Sequence, residues 1–142
     1  MSIEIQLDLC LRLAVSALLC GIVGYNREAN RQPAGLRTHI LVGIGSTLFT
    51  GLSLFAFGST GQDRVAAQIV TGIGFLGAGT IIRTNTRNVH GMTTAAGIWA
   101  TAAIGMACGA GFYILAAFTA ILIWFVLAIL RRLDNPDQDK GA

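Results

Sequence analysis

Asp8 and Arg12 stand four residues apart in the apolar run IEIQLDLCLRLAVSALLCGIVGY, a spacing that puts both on one face of a helix. A lone charge near the centre of a bilayer costs about 2.5–3.5 kcal/mol on insertion scales, so such residues are rare and often mark sites. Pairing, and a position in the outer half of the span, lower that cost. Two readings stay open for the pair. It is a polar site facing the interior of a bundle, or an intrahelical ion pair with Arg12 snorkelling to the interface. Arg64 and Gln68 repeat the same spacing in the run RVAAQIVTGIGFLGAG. If Gln68 faces inward it needs a buried partner, and Asp8 or Arg12 at similar depth would serve. Asp8, Arg12, Arg64 and Gln68 therefore form a candidate intramembrane polar cluster.

A second candidate is the loop NREANRQPAGLRTH, where Glu28, Arg31, Arg37 and Thr38 flank Pro33 and Gly35. Arginines there either anchor the chain at the membrane or meet a cytoplasmic partner or anionic headgroup. His39 and His90 have no fixed spacing and argue weakly for a metal or pH switch. Cys10, Cys20 and Cys108 all lie in apolar runs without a CxxC or Cys/His ligand pattern, which predicts buried thiols. No GxSxG elbow, HExxH motif, Walker loop or catalytic carboxylate pair is present. Neither an enzyme, a metal site nor a bound cofactor is expected.

The elements that hold these residues follow from composition. Of the 142 residues, 54% are hydrophobic and 12% charged, half the charge of an ordinary soluble domain. The net charge of +3 sits in short clusters between apolar runs, which excludes a nucleic-acid surface. Runs near the ~20 residues that cross a bilayer core fall at about 5–25, 39–57, 65–82, 92–108 and 112–130. The last two come from one uncharged stretch, Gly91 to Leu130, folded back at Gly109-Ala110-Gly111. The expectation is an all-α polytopic membrane protein, a bundle of five transmembrane helices over 1–130 with a polar cytoplasmic tail at 131–142. The first run lacks the basic start of a signal peptide and is expected to be retained as a span.

Orientation follows from Lys and Arg in the loops. Arg27, Arg31, Arg37, Arg83, Arg87, Arg131, Arg132 and Lys140 fall on one side, against Arg64 on the other. This predicts the N-terminus outside and the C-terminus in the cytoplasm. Two seams of small residues run along the helices. Ala67, Thr71, Gly74 and Ala78 form one; Gly97, Thr101, Gly105 and Gly109 recur every four residues in the other. Such surfaces let helix backbones approach closely, within a bundle or across a dimer. The alternative is a helix broken at Gly77 or Gly79 to expose carbonyls to an ion, as in transporters.

The strings REANRQPAGLRTH, RVAAQIVTGIGFLGAGTIIR and HGMTTAAGIWATAAIGMACGAGFY resemble the MgtC/SapB family of bacterial inner-membrane proteins, over roughly Leu7 to Leu130. Arg12, Glu28, Arg31, Pro33, Gly35, Leu36, Arg37 and Thr38 match its pattern. So do Arg64, Gln68, Gly72, Gly74, the Phe75–Gly79 run, Gly91, Thr93, Thr94, Ala95 and Trp99. His90 departs from the basic or polar residue more usual there. Longer members continue into a soluble domain similar to ACT modules, so a short form is expected. The resemblance implies a protein linked to magnesium limitation and, in pathogens, to virulence, with some members thought to act on the F-type ATP synthase. The reading that joins these strands is a membrane regulator. It works through helix contacts with lipid around it, as a homo-oligomer (dimer favoured) with a membrane-protein partner. A small magnesium, ion or solute transporter is the alternative.

Overall fold

A chain segment in lipid has to satisfy its own backbone polar groups, and the helix does so within one segment. The computed structural model describes residues 1–57, 62–83 and 89–130. It is all-α, with helices α1 Ile3–Ala29, α2 Leu36–Phe55, α3 Gln62–Ala78, α4 Met92–Gly109 and α5 Tyr113–Phe125. A π-helical turn, Val126–Leu130, extends α5. A two-residue antiparallel pairing joins β1, Ile82–Arg83, to β2, Val89–His90. Among the described residues, four segments are long and apolar enough to cross a membrane: Ile3–Ala29, Leu36–Phe55, Met92–Gly109 and Tyr113–Leu130. At 17 residues α3 sits at the short end of what spans a bilayer core, and its first turn carries Asp63. The tail 131–142, with Arg131, Arg132 and Lys140, lies outside the described residues, as does Arg87.

Local chemistry sets the helix ends. The Ser2 hydroxyl caps α1 by accepting from the Ile5 amide at 3.4 Å. Between α1 and α2 the chain reverses at Arg31, which adopts φ 52°. Glu28 then reaches forward, and its Oε2 accepts from the Leu36 amide at 2.8 Å. That carboxylate supplies the acceptor which the α2 N-cap, Gly35, has no side chain to give. Helix α3 runs unbroken through Gly77 and ends at Ala78, with Gly79 already in the following turn. The α4–α5 reversal uses Gly111 at φ +84°, where other residues are strained.

Helix α4 is the centre of the bundle and packs against all four other helices. Ile104 and Cys108 join Cys20 and Val23 of α1 and Ala116 and Ala120 of α5 in one apolar cluster. Ile98 and Ala102 join Val42 of α2 and Ile69 and Ile73 of α3 in a second. Buried Cys20 and Cys108 behave as small apolar groups, but Cys10 is exposed on the outer face of α1. The expectation that all three thiols are buried is corrected there, because Cys10 lies off the inward row of Leu9, Ser16, Cys20 and Val23.

The closest approach is between α2 and α4. A Cβ at Gly105 would lie 2.5 Å from the Gly43 carbonyl oxygen, and one at Gly109 would lie 2.6 Å from that of Thr47. The Thr47 hydroxyl sits 2.8 Å from the carbonyl oxygens of both Gly43 and Gly105, one proton serving two acceptors across the interface. Gly97, about two turns nearer the other end, has only ordinary contacts around its missing Cβ, to Leu127 at 3.8 Å and His39 at 3.9 Å. Gly105→Ala is therefore expected to destabilise the bundle by about 1–3 kcal/mol through overpacking. Gly97→Ala should be neutral or stabilising by up to ~1 kcal/mol from helix propensity. Unfolding midpoints of the two variants in detergent micelles check the contrast; equal midpoints would mean that α2 and α4 are not packed this closely.

Candidate functional site

Arg12 projects from the inward row of α1 into the end of the bundle where α4 turns into α5. Its Nε donates to Asp8 Oδ2 at 2.7 Å, and its Nη1 donates to the Gly109 carbonyl oxygen at 2.6 Å. The guanidinium also lies 5.2 Å from the centroid of the Phe55 ring, and it fills the space beside Gly111. Gly109 ends α4, so its carbonyl has no acceptor role inside the helix and marks the negative end of the helix dipole. A planar cation with several donors suits that position better than an ammonium. One side chain thus ties α1 to the ends of α2 and α4.

The described contacts join Asp8 to Arg12 but do not bring Arg64 or Gln68 to them. Both are exposed on α3, off its inward row of Ile69, Ile73 and Gly77, and neither hydrogen-bonds a described residue. What α3 does bring near the Arg12 end is Asp63. It lines a cavity of about 230 Å³ with Thr50, Ser53, Leu54, Ala66 and Ala110. The Thr50 hydroxyl there is buried and makes no hydrogen bond among the described residues.

The opposite end holds a polar cluster that the loop pattern did not single out. Arg27 is 3% exposed, although its neighbours in sequence suggested one more anchoring arginine. Its Nη2 donates to Thr94 Oγ1 at 2.8 Å and to Gln32 Oε1 at 3.0 Å. This links the last turn of α1 to the first turn of α4. His39, fully buried in the first turn of α2, places Nδ1 2.9 Å from the Gly35 carbonyl oxygen. Its Nε2 is buried without a hydrogen-bond partner among the described residues. A signal for Arg27 was present in the chain: Arg12, Ser16, Cys20, Val23 and Arg27 follow steps of four and three along α1. The last four of these are buried and Arg12 is half-buried.

The expected loop site divides. Glu28 is engaged in capping α2, Thr38 is half-buried, and Arg31 and Arg37 are exposed. The two small-residue seams also part company. Gly97, Thr101, Gly105 and Gly109 are buried in α4, whereas Ala67, Thr71, Gly74 and Ala78 are exposed on α3. Among the described residues no three His, Cys, Asp or Glu side chains gather as metal ligands. The chemistry on offer is therefore cationic bracing of helix ends. Arg12→Ala should cost about 1.5–3 kcal/mol, the worth of hydrogen bonds to a charged group. Amide exchange should rise locally at Gly111–Tyr113; protection unchanged there would show that Arg12 does not hold the turn.

The comparisons with known proteins bear on the whole bundle. YhiD of Escherichia coli K12 is 43% identical over 142 residues, covering 94% of this chain and 66% of the relative. MgtC of Brucella abortus is 46% identical over 121 residues, covering 85% and 50%. SapB of Bacillus subtilis is 35% identical over 143 residues, covering 92% and 61%. The chain spans between half and two thirds of the length of these curated relatives. No solved structure matches it. The MgtC family profile covers residues 13–135, which begin just after Arg12 and include Arg27 and the α2–α4 contact, and the chain belongs to the MgtC family of membrane proteins.

Proposed function

We propose that this protein is a non-enzymatic regulator in the bacterial inner membrane, acting through helix contacts with a membrane partner in the physiology of magnesium limitation and, in pathogens, virulence. It works as a homo-oligomer, with its N-terminus outside and its C-terminus in the cytoplasm, the side that holds most of the basic residues. The observation that carries the reading is the dense middle of the bundle. Between the Arg12 end and the Arg27 end, α4 approaches α2 so closely that no Cβ fits at Gly105 or Gly109, and α1 approaches α2 so closely that none fits at Gly43. Ions crossing a bundle need a polar path at that depth, and here the space is taken by backbone. The unbroken course of α3 through Gly77 likewise lacks the interrupted helix that transporters use to coordinate ions. The F-type ATP synthase is the partner to test first.

A small ion transporter is the second reading. It draws on the Asp63–Thr50 cavity and on the description of YhiD as a candidate magnesium transporter. Magnesium is bound through one or two carboxylates and retained water, and Asp63 is a carboxylate of that kind. Purified protein in proteoliposomes with an internal magnesium indicator separates the two. The expected result is flux no greater than in empty vesicles, together with recovery of ATP-synthase subunits by cross-linking in membranes of magnesium-limited cells. Flux that Asp63→Asn abolishes without moving the unfolding midpoint would install the transporter reading instead.

A further inference from the structure

Helix α3 turns outward a face that lipid alone does not suit. Opposite its inward row, Arg64, Gln68, Thr71, Phe75 and Ala78 stand at steps of four, three, four and three, and all five are exposed. This is the seam spacing of a helix that packs lengthwise against another helix. Phe75 is 83% exposed and projects as a knob. Gln68 has an amide with two donors and two lone pairs, and it makes no hydrogen bond to a described residue. It stands six residues into α3, about 9 Å along the axis. An amide facing hydrocarbon at that depth is costly, because acyl chains offer it no partner.

Two features of this flank are complementary to themselves. A primary amide donates and accepts, so two copies of Gln68 satisfy one another across a two-fold axis. Beside Phe75 runs a groove between α2 and α3 of about 460 Å³, walled by Leu41, Phe49 and Leu76, with Gln68 at its edge and Ser46 among its lining. Its floor includes Gly45 and Gly72, where an added Cβ would meet nothing within 4 Å. A two-fold interface requires knob and hole on the same patch, and α3 with its flank carries one of each. A lipid tail would fill the groove but leave Gln68 unsatisfied.

We propose that α3 is the seam of a two-fold homodimer. The two copies of α3 lie side by side about an axis normal to the membrane, their Gln68 amides hydrogen-bonded to each other. Phe75 of each copy seats in the α2–α3 groove of the other. Polar residues at single seam positions select register and oligomer state in paired helices, and Gln68 has that role here. The proposal rests only on the self-association part of the function above and is independent of which partner is regulated.

The test uses the full chain in native membranes with Cys10→Ala, which removes the exposed native thiol. Single cysteines are then added as Thr71→Cys on the seam and Ile114→Cys on the exposed face of α5. Oxidation should give a disulfide-linked dimer at Thr71→Cys and little at Ile114→Cys. Phe75→Ala should weaken the dimer about tenfold or more in detergent, in keeping with the loss of a buried aromatic. Gln68→Glu should dissociate it at neutral pH, with recovery as the pH falls and the facing carboxyls take up protons, a reversal that a misfolded variant would not give. Cross-linking at Ile114→Cys in place of Thr71→Cys, with dimeric mass retained, would overturn the α3 seam while leaving self-association standing. Monomeric mass for the unmodified protein would overturn both.

Discussion

The backbone contact between α2 and α4 is the constraint from which the rest of the bundle follows. In lipid there is no hydrophobic force to push apolar helices together, so association relies on close packing and on hydrogen bonds between helices. Gly105 and Gly109 let α4 touch the α2 backbone at Gly43 and Thr47, and the Thr47 hydroxyl bonds across the contact. With α2 pressed against one side of α4, the remaining sides are left for α1, α5 and α3. Ala116 and Ala120 continue the same logic on α5, where small side chains admit Cys108 and Ile104. Large side chains are mostly turned outward, as suits a surrounding solvent that is itself apolar.

Against that core, the two arginines of α1 act at its ends. Arg12 neutralises the C-terminal carbonyl of α4 at Gly109, and Arg27 reaches the first turn of α4 at Thr94. The two side chains lie fifteen positions apart on one inward row, so a single helix grips both ends of the central one. This arrangement explains how the chain tolerates cations so near the membrane. Each is spent on carbonyls, hydroxyls or a carboxylate that would otherwise lack a partner. Arg12, bound to the Gly109 carbonyl oxygen, is held in place by the backbone it braces.

Much of this was legible in the chain. Apolar run lengths and the glycine pair around Ala110 predicted an all-α membrane bundle, and the strings around Pro33, Phe75 and Thr94 pointed to the family. What the chain did not disclose was the direction each face points. The seams Gly97–Gly109 and Ala67–Ala78 look equivalent as patterns, yet α4 buries its seam and α3 exposes its own. Small residues signal that close approach is allowed, not which neighbour will make it. Gln68 would meet Asp8 or Arg12 only if it faced inward, and the inward row of α3 is set by Ile69 and Ile73. Arg27 was hidden by composition: beside Arg31 and Arg37 it reads as one of three anchors, and only its register with Ser16, Cys20 and Val23 distinguishes it.

The unequal treatment of the two seams has a functional sense. Regulation by contact, as proposed above, needs a scaffold that keeps its shape and a face that is still available after folding. The α2–α4 contact, locked by backbone approach and braced at each end by an arginine, meets the first need. Helix α3 meets the second. It is short, it touches the core chiefly through Ile69, Ile73 and Gly77, and it leaves Thr71, Phe75 and a polar amide on the outside. Burying that amide within the chain would have made the bundle more self-sufficient. In the proposed dimer a second copy of α3 completes that amide, so the exposed face of α3 is where the proposal ties this fold to assembly.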